Sequence, residues 1–261
     1  MGLHLDWKSL PLRADRAHRL ISPWLWIGIL LITPSATFGA DGKAAPAPCP
    51  VNLNLGGDEI AGRLMTRNAE RAQVLRSFES TRDYRLDHTG FPSALSAEME
   101  VKAAYSAAGT KNLTVVSESG SKLLRHRVFH RLLESEKESA SNEVNRSAVA
   151  LTTANYRFSL LGCTSADSRL LFVMQVEPLS TYKYLYRGTV WIDARDFAVW
   201  RIEAEPAQNP SFWIRRTEIH HQYQKIGDFY LPEVNQTFTD MRLGGKAVLT
   251  IRYRDYKLPL E

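Results

Sequence analysis

From Tyr182 to Glu205 the chain alternates with a period of two, and the rest of the sequence is organised around this stretch. Tyr182, Tyr184, Tyr186, Val190 and Ile192 fall on one side. Lys183, Leu185, Arg187, Thr189, Trp191 and Asp193 fall on the other. Asp193-Ala194-Arg195-Asp196 makes a turn whose aspartates can bond their own backbone. The alternation then resumes with Ala198, Trp200, Ile202 and Ala204 inward and Val199, Arg201, Glu203 and Glu205 outward. Aromatic and β-branched residues at this period predict a long antiparallel hairpin with one buried face.

The same signals place the other elements. Asp58 is a candidate N-cap, and Ile60, Ala61, Leu64, Met65, Ala72, Leu75 and Phe78 recur at helical spacing, which predicts an amphipathic helix up to Ser80. Tyr84, Leu86 and His88 alternate before a break at Gly90. Leu95, Ala97, Met99, Val101, Ala103 and Tyr105 form a second strand, and Leu113 to Val116 a third. After Ser121, a candidate cap, Leu124, Val128 and Leu132 mark a second amphipathic helix. Strands resume at Tyr156–Leu160, ended by Gly162. Leu170–Val176 follows, its centre apolar on both faces. Phe212–Ile226, Phe229–Pro232, Val234–Leu243 and Ala247–Leu258 complete the series, with Gly227-Asp228 and a two-residue Gly244-Gly245 turn between them. The fold class predicted is mainly β (α+β): a curled antiparallel meander forming an open half-barrel, covered by two amphipathic helices. Phe172, Met174, Val190, Ile192, Trp200, Ile202, Leu249 and Ile251 line its inner face, around either a packed core or a cavity.

The N-terminal region changes the expected location. Lys8, Arg13, Arg16 and Arg19 precede the apolar run Ile21–Ile32, and Pro34, Ser35, Ala36, Gly39 and Ala40 follow it. That is the order of a secretory signal peptide, too short to span a bilayer comfortably. The expected organisation is a signal peptide over 1–40, a Pro/Ala-rich linker over 41–57 and one domain over 58–261. An exported, periplasmic protein is expected rather than one held by an uncleaved anchor. Export makes a disulfide between Cys49 and Cys163 permissible, but sequence alone does not bring them together. The net charge of +5 is modest and its cations are interspersed, so no nucleic-acid footprint is readable.

Candidate chemistry is thin. His126, His130 and Glu134 share a helix face at a spacing able to hold a metal, though a polar helix face also explains them. His220 and His221 point to opposite faces of a strand. Glu98 with Glu100, and Glu203 with Glu205, are same-face carboxylate pairs that read as a solvated sheet surface. The sequence has no nucleophile elbow, P-loop or dinucleotide fingerprint. The expectation is a non-enzyme without a cofactor or a metal.

Three stretches carry a family resemblance: Tyr186-Arg187-Gly188-Thr189-Val190-Trp191-Ile192-Asp193, then Phe197-Ala198-Val199-Trp200-Arg201-Ile202-Glu203, then Gln222-Tyr223-Gln224-Lys225-Ile226-Gly227-Asp228-Phe229-Tyr230-Leu231-Pro232. They resemble the strand, return strand and turn of the lipoprotein-carrier superfamily, the LolA/LolB-like outer-membrane lipoprotein-sorting proteins. The resemblance implies an apolar cavity under helical lids. It further implies a lipid acyl chain or lipoprotein as ligand, carried by a monomer. An envelope sensor that binds a partner protein with the same fold is the alternative. No individual functional residue is carried over from the family.

Overall fold

The computed structural model describes residues 45–258 apart from 54, 91–92, 107–109, 142–146, 183 and 210. The signal peptide expected over 1–40 lies outside the described residues. Ten antiparallel strands form one open sheet. They are β1 (Ser77–Thr89), β2 (Leu95–Ser106), β3 (Lys111–Gly120), β4 (Tyr156–Ala166), β5 (Arg169–Pro178), β6 (Tyr186–Asp193), β7 (Val199–Pro206), β8 (Ile214–Ile226), β9 (Phe229–Met241) and β10 (Lys246–Lys257). The spatial order is β3-β2-β1-β10-β9-β8-β7-β6-β5-β4. The chain therefore lays a meander from β4 to β10, and the earlier β1–β3 meander joins it through β1–β10 pairing. Helix α1 (Gly57–Val74) precedes the sheet. Between β3 and β4 runs one continuous helical rod, made of α2 (Lys122–Leu124), a π-helical turn (Arg125–Phe129) and α3 (His130–Ser141).

Each helix covers a different half of the concave face. Ile60, Ala61 and Leu64 of α1 pack on Phe158, Phe172, Met174, Val190, Ile192 and Ile202 of β4–β7. Leu124, Val128, Phe129, Leu132 and Leu133 of the second rod pack on Tyr84, Leu86, Met99, Val101, Leu249 and Ile251. A third, smaller cluster of Leu171, Val173 and Trp191 lies on the outer face of β5 and β6. This agrees with the expected two-sided burial of the β5 centre.

Several boundaries differ from the sequence reading. Helix α1 stops at Val74, and Phe78, which had fitted the helical spacing, lies in β1 and stacks on Tyr105 at 5.1 Å. Asp58 is not the cap: Gly56 holds that position, and Asp58 and Glu59 occupy the first turn, where the helix dipole favours them. Ser121 does cap the second rod, its Oγ accepting from Leu124 N. Strand β4 passes through Gly162 to Ala166, with a bulge at Leu161. Phe229 to Met241 is one strand, and the following turn spans four residues, Arg242 to Gly245, not two.

The linker assigned over 41–57 is tied to the sheet. Ala47 and Cys163 exchange backbone hydrogen bonds of 2.8 and 2.7 Å, and Cys49 is disulfide-bonded to Cys163. A Cβ on Gly162 would lie 2.5 Å from the Ala47 carbonyl oxygen, so this close approach requires glycine. The edge of β4 is thereby covered, which protects a strand that would otherwise present unpaired backbone.

The central turn forms as read, with Asp193 Oδ1 accepting from the backbone N–H of Arg195 and Asp196, each at 2.9 Å. Around it, the Tyr230 hydroxyl lies 3.1 Å from Asp193 Oδ2 and 2.8 Å from Asp196 Oδ2, and Lys225 Nζ donates to Asp196 at 2.6 Å. Arg71 of α1 donates to the carbonyls of Asp196 and Asp228. This network pins the end of α1 to the β6–β7 and β8–β9 turns.

Candidate functional site

The eight residues predicted to line one cavity occupy three places. Phe172, Met174, Val190, Ile192 and Ile202 are buried under α1, whereas Leu249 and Ile251 are buried under the second rod. Trp200 is the correction: it packs partly buried against the outer cluster of Leu171, Val173 and Trp191. The cause is a β-bulge, because Trp191 pairs with Arg201 but Ile192 pairs with Val199. Trp200 is the extra residue, so Val199 takes the inward position against the α1 core while Ile202 keeps its own. Simple alternation puts Trp200 and Ile202 on one face, and a bulge is invisible to it.

Between the two helix-capped cores lie the inner faces of β8 and β9. The register pairs Thr217 with Thr239, Ile219 with Thr237 and His221 with Asn235. The neighbouring pairs, Ile202 with His221 and Asn235 with Ile251, put this row on the same concave face as both cores. It is mostly polar where the flanking strands are apolar. Two of its atoms are buried without a hydrogen-bond partner, Thr217 Oγ1 and Asn235 Oδ1. The amide nitrogen of Asn235 donates to Tyr253 Oη at 3.0 Å, so only its oxygen is left over. Burial holds His221 in the neutral form, pulling its pKa down to about 3. Tyr223, next on the inner face, has its phenol pushed up to about 12 by burial. Sequence reasoning separated His220 from His221 correctly: His220 packs at a tilt against Phe238 on the outer face, with ring centroids 5.1 Å apart.

Beside the seam is a buried ion cluster that the sequence did not reveal. Arg82 Nη1 donates to Glu136 Oε1 at 2.7 Å, Lys111 Nζ reaches the same oxygen at 2.9 Å, and the Arg82 guanidinium lies 5.1 Å over the Tyr253 ring. Burial alone would raise the Glu136 pKa, but Arg82 and Lys111 together outweigh it and hold the carboxyl below its ordinary range. Arg82 had no signal beyond its parity with Tyr84 and Leu86.

The other candidate chemistry resolves into surface pairing. Glu98 meets Arg85 at 2.8 Å, Glu100 meets Arg254 at 2.7 Å, Glu205 meets Arg216 at 2.8 Å, and Glu203 meets Arg201. His130 pairs with Glu118 of β3, and His126 packs edge-on against the His130 ring. Among the described residues no group of three metal-ligating side chains comes together. No described helix is long and apolar enough to cross a membrane. A cleft of about 920 Å³ opens at the far end of α1 beside Arg71, Asp196, Lys225 and Asp228, and its wall is the turn network described above.

Fold and site define an open antiparallel half-barrel with two helix-capped cores and a polar seam between them. Among solved structures the chain is similar to a DUF1329 family protein from Desulfovibrio piger, at 13% identity and a TM-score of 0.39, covering 78% of this chain and 92% of that one. It is similar to a LolA superfamily protein from Nitrosomonas europaea at 14% identity and a TM-score of 0.35, covering 79% and 95%. It is also similar to an outer membrane lipoprotein-sorting protein domain from Vibrio parahaemolyticus at 14% identity and a TM-score of 0.38, covering 78% and 94%. No protein-family model matches the sequence, and no curated protein matches it significantly.

Proposed function

We propose that this is a non-catalytic, exported binding protein for an acyl-bearing amphiphile, a lipid or a lipidated polypeptide, which it carries within the cell envelope. The observation that supports this most is the β8–β9 seam, a strip of concave face that belongs to neither core and holds Thr217 Oγ1 and Asn235 Oδ1 without partners. Buried polar atoms left unsatisfied cost about 1–3 kcal/mol each, and a ligand head group with a hydroxyl, amide N–H or protonated carboxyl able to donate removes that cost. Acyl methylenes would gain about 25 cal/mol per Å² by leaving water for the flanks around Ile219 and Tyr223. Phe172, Met174, Val190, Ile192 and Ile202 would line the same cavity only if α1 were displaced, and Leu249 and Ile251 only if the second rod were.

A fluorescent fatty acid tests the reading. Saturable binding that raises the melting temperature is expected. Thr237→Trp, which fills the half-buried centre of the seam, should abolish binding with the fold retained. Absence of saturable binding would overturn the carrier reading, and binding undiminished in Thr237→Trp would remove it from the seam. One observation favours a second reading, that of a partner-binding sensor: among the described residues β3 is paired on one side only, and Val115 and Val116 are exposed along it. An extended peptide could add to that edge.

A further inference from the structure

The two ends of the half-barrel differ sharply. At one end the β4–β5, β6–β7 and β8–β9 turns are short, Asp167-Ser168, 194–198 and Gly227-Asp228, and the apolar side chains among them, Ala194, Phe197 and Ala198, are buried. At the other end the connectors carry large apolar side chains in solvent. Leu179 is 54% exposed and Tyr182 36% in the β5–β6 connector, Phe212 73% and Trp213 50% before β8, and Leu243 57% after β9. Backbone hydrogen bonds join these connectors side by side: Ala207 N to Leu185 O at 2.8 Å, and Arg242 N to Trp213 O at 2.9 Å. Phe212 and Trp213 lie edge-on at 5.5 Å, and the Arg242 guanidinium sits 5.1 Å over the Phe212 ring. No described acid pairs with Arg242, and Arg215, at the start of β8, is 67% exposed and 3.2 Å from Asp240.

We infer that this rim docks on the surface of a lipid bilayer containing anionic lipid. Three features favour a bilayer over a protein partner. The apolar groups sit on separate hairpin tips that project along the strands, so they offer depth of insertion more than a flat area to cover. Trp, Tyr and Phe with adjacent arginines are the side chains that settle at the headgroup level, with ring bodies in the apolar layer and cations at the phosphates. Phe212-Trp213 and Arg242-Leu243 also flank the ends of β8 and β9, the two strands whose inner faces form the seam, so the rim lies at one end of the seam. The docking stands on the rim alone and does not require that the seam hold a lipid.

Hydrogen exchange of the full chain, with and without phosphatidylglycerol-containing vesicles, tests it. Vesicles should protect 211–213 and 242–245 and leave 194–198 and 227–228 unchanged. Phe212→Ser with Trp213→Ser should reduce vesicle partition at least roughly tenfold. Arg242→Glu should weaken binding to anionic vesicles several-fold while leaving neutral vesicles little affected, in line with roughly fivefold per cation. All variants share one N-terminus, so its own lipid affinity cancels in the comparison. The same variants should bind monomeric fluorescent fatty acid as the parent does, which separates failure of docking from failure of the seam. Unchanged exchange at the two connectors would overturn the inference. Their protection by an envelope protein but not by vesicles would make the rim a protein interface and overturn it equally.

Discussion

Cys49→Ser with Cys163→Ser removes the single covalent tie among the described residues and gives a number to check. The bridge closes a loop of 114 residues. That loop leaves the β4 edge, crosses the concave face as α1, builds β1–β3 and the second helical rod, and returns to β4. Constraining a loop of this length removes denatured-state entropy worth about 5 kcal/mol at room temperature. Residual structure in the denatured chain lowers the measured effect, so a loss of about 2–5 kcal/mol is expected. The two backbone hydrogen bonds between Ala47 and Cys163 remain possible in the variant, so the native fold need not change. Equilibrium urea unfolding of the oxidised parent against the double variant measures the loss as a lower midpoint, with a steeper slope because the denatured chain without the bridge is more expanded. Against a total of about 5–15 kcal/mol, it should leave a marginal protein. Midpoints that agree within error would refute the reasoning, because the bridge would then constrain nothing that the sheet does not already hold.

Three further outcomes follow from particular contacts. Ile202→Ala should cost about 2–5 kcal/mol, and Trp200→Ala distinctly less despite its larger ring, measured by urea unfolding; equal losses would mean that the bulge is absent. Glu136→Gln strands the buried Arg82 and should cost about 3–5 kcal/mol at neutral pH. The parent should lose the Glu136 contribution as pH falls below the ordinary carboxylate range toward the depressed folded pKa, so its unfolding midpoint should fall more steeply in acid than that of Glu136→Gln. Gly188→Ala should destabilise by about 1–3 kcal/mol or more in thermal melts, since its Cβ would lie 2.2 Å from the Glu203 carbonyl oxygen at φ +155°.

Strand content and open shape were legible because period two persists wherever one face is buried, as in Leu95 to Ala103 against the second rod. Three things were not. Phe78 satisfied the helical and the strand period at once, so α1 was read past its end until tertiary pairing with Tyr105 decided the matter. The bulge at Trp200 changes the facing of one residue without changing the composition of the stretch. The seam was hidden for a different reason: Thr217, Thr237, Thr239 and Asn235 alternate with Glu218, Gln236, Phe238 and other outward residues, so neither face of β8 or β9 reads as core. Polar residues on the concave side are recognised only once the flanking strands are known to be apolar there. The predicted lining set followed the opposite logic and selected the most apolar positions, which, Trp200 apart, are the ones the helices already cover.

That inversion bears on how a ligand would enter. A lid that must lift exposes its whole apolar face: for α1 that means Ile60, Ala61 and Leu64, all fully buried. Re-exposing such side chains costs about 1.5–3 kcal/mol for each large one, a cost that a single acyl chain must first overcome. The seam avoids it, because α1 is held to the β6–β7 and β8–β9 turns by Arg71 at one end of the sheet, while among the described residues the other end of β8 and β9 is flanked by the 207–213 and 242–245 connectors. An amphiphile leaving a bilayer at the Trp213–Leu243 rim would meet Thr217 and Thr239 first, then His221 and Asn235, without either helix leaving its core. The polar row would then act as a track for the head group and the two cores as fixed walls. Loading would depend on the rim more than on helix motion. Restraining α1 with an added cross-link to β5 should therefore leave fatty-acid uptake intact, whereas a lid mechanism requires uptake to be lost.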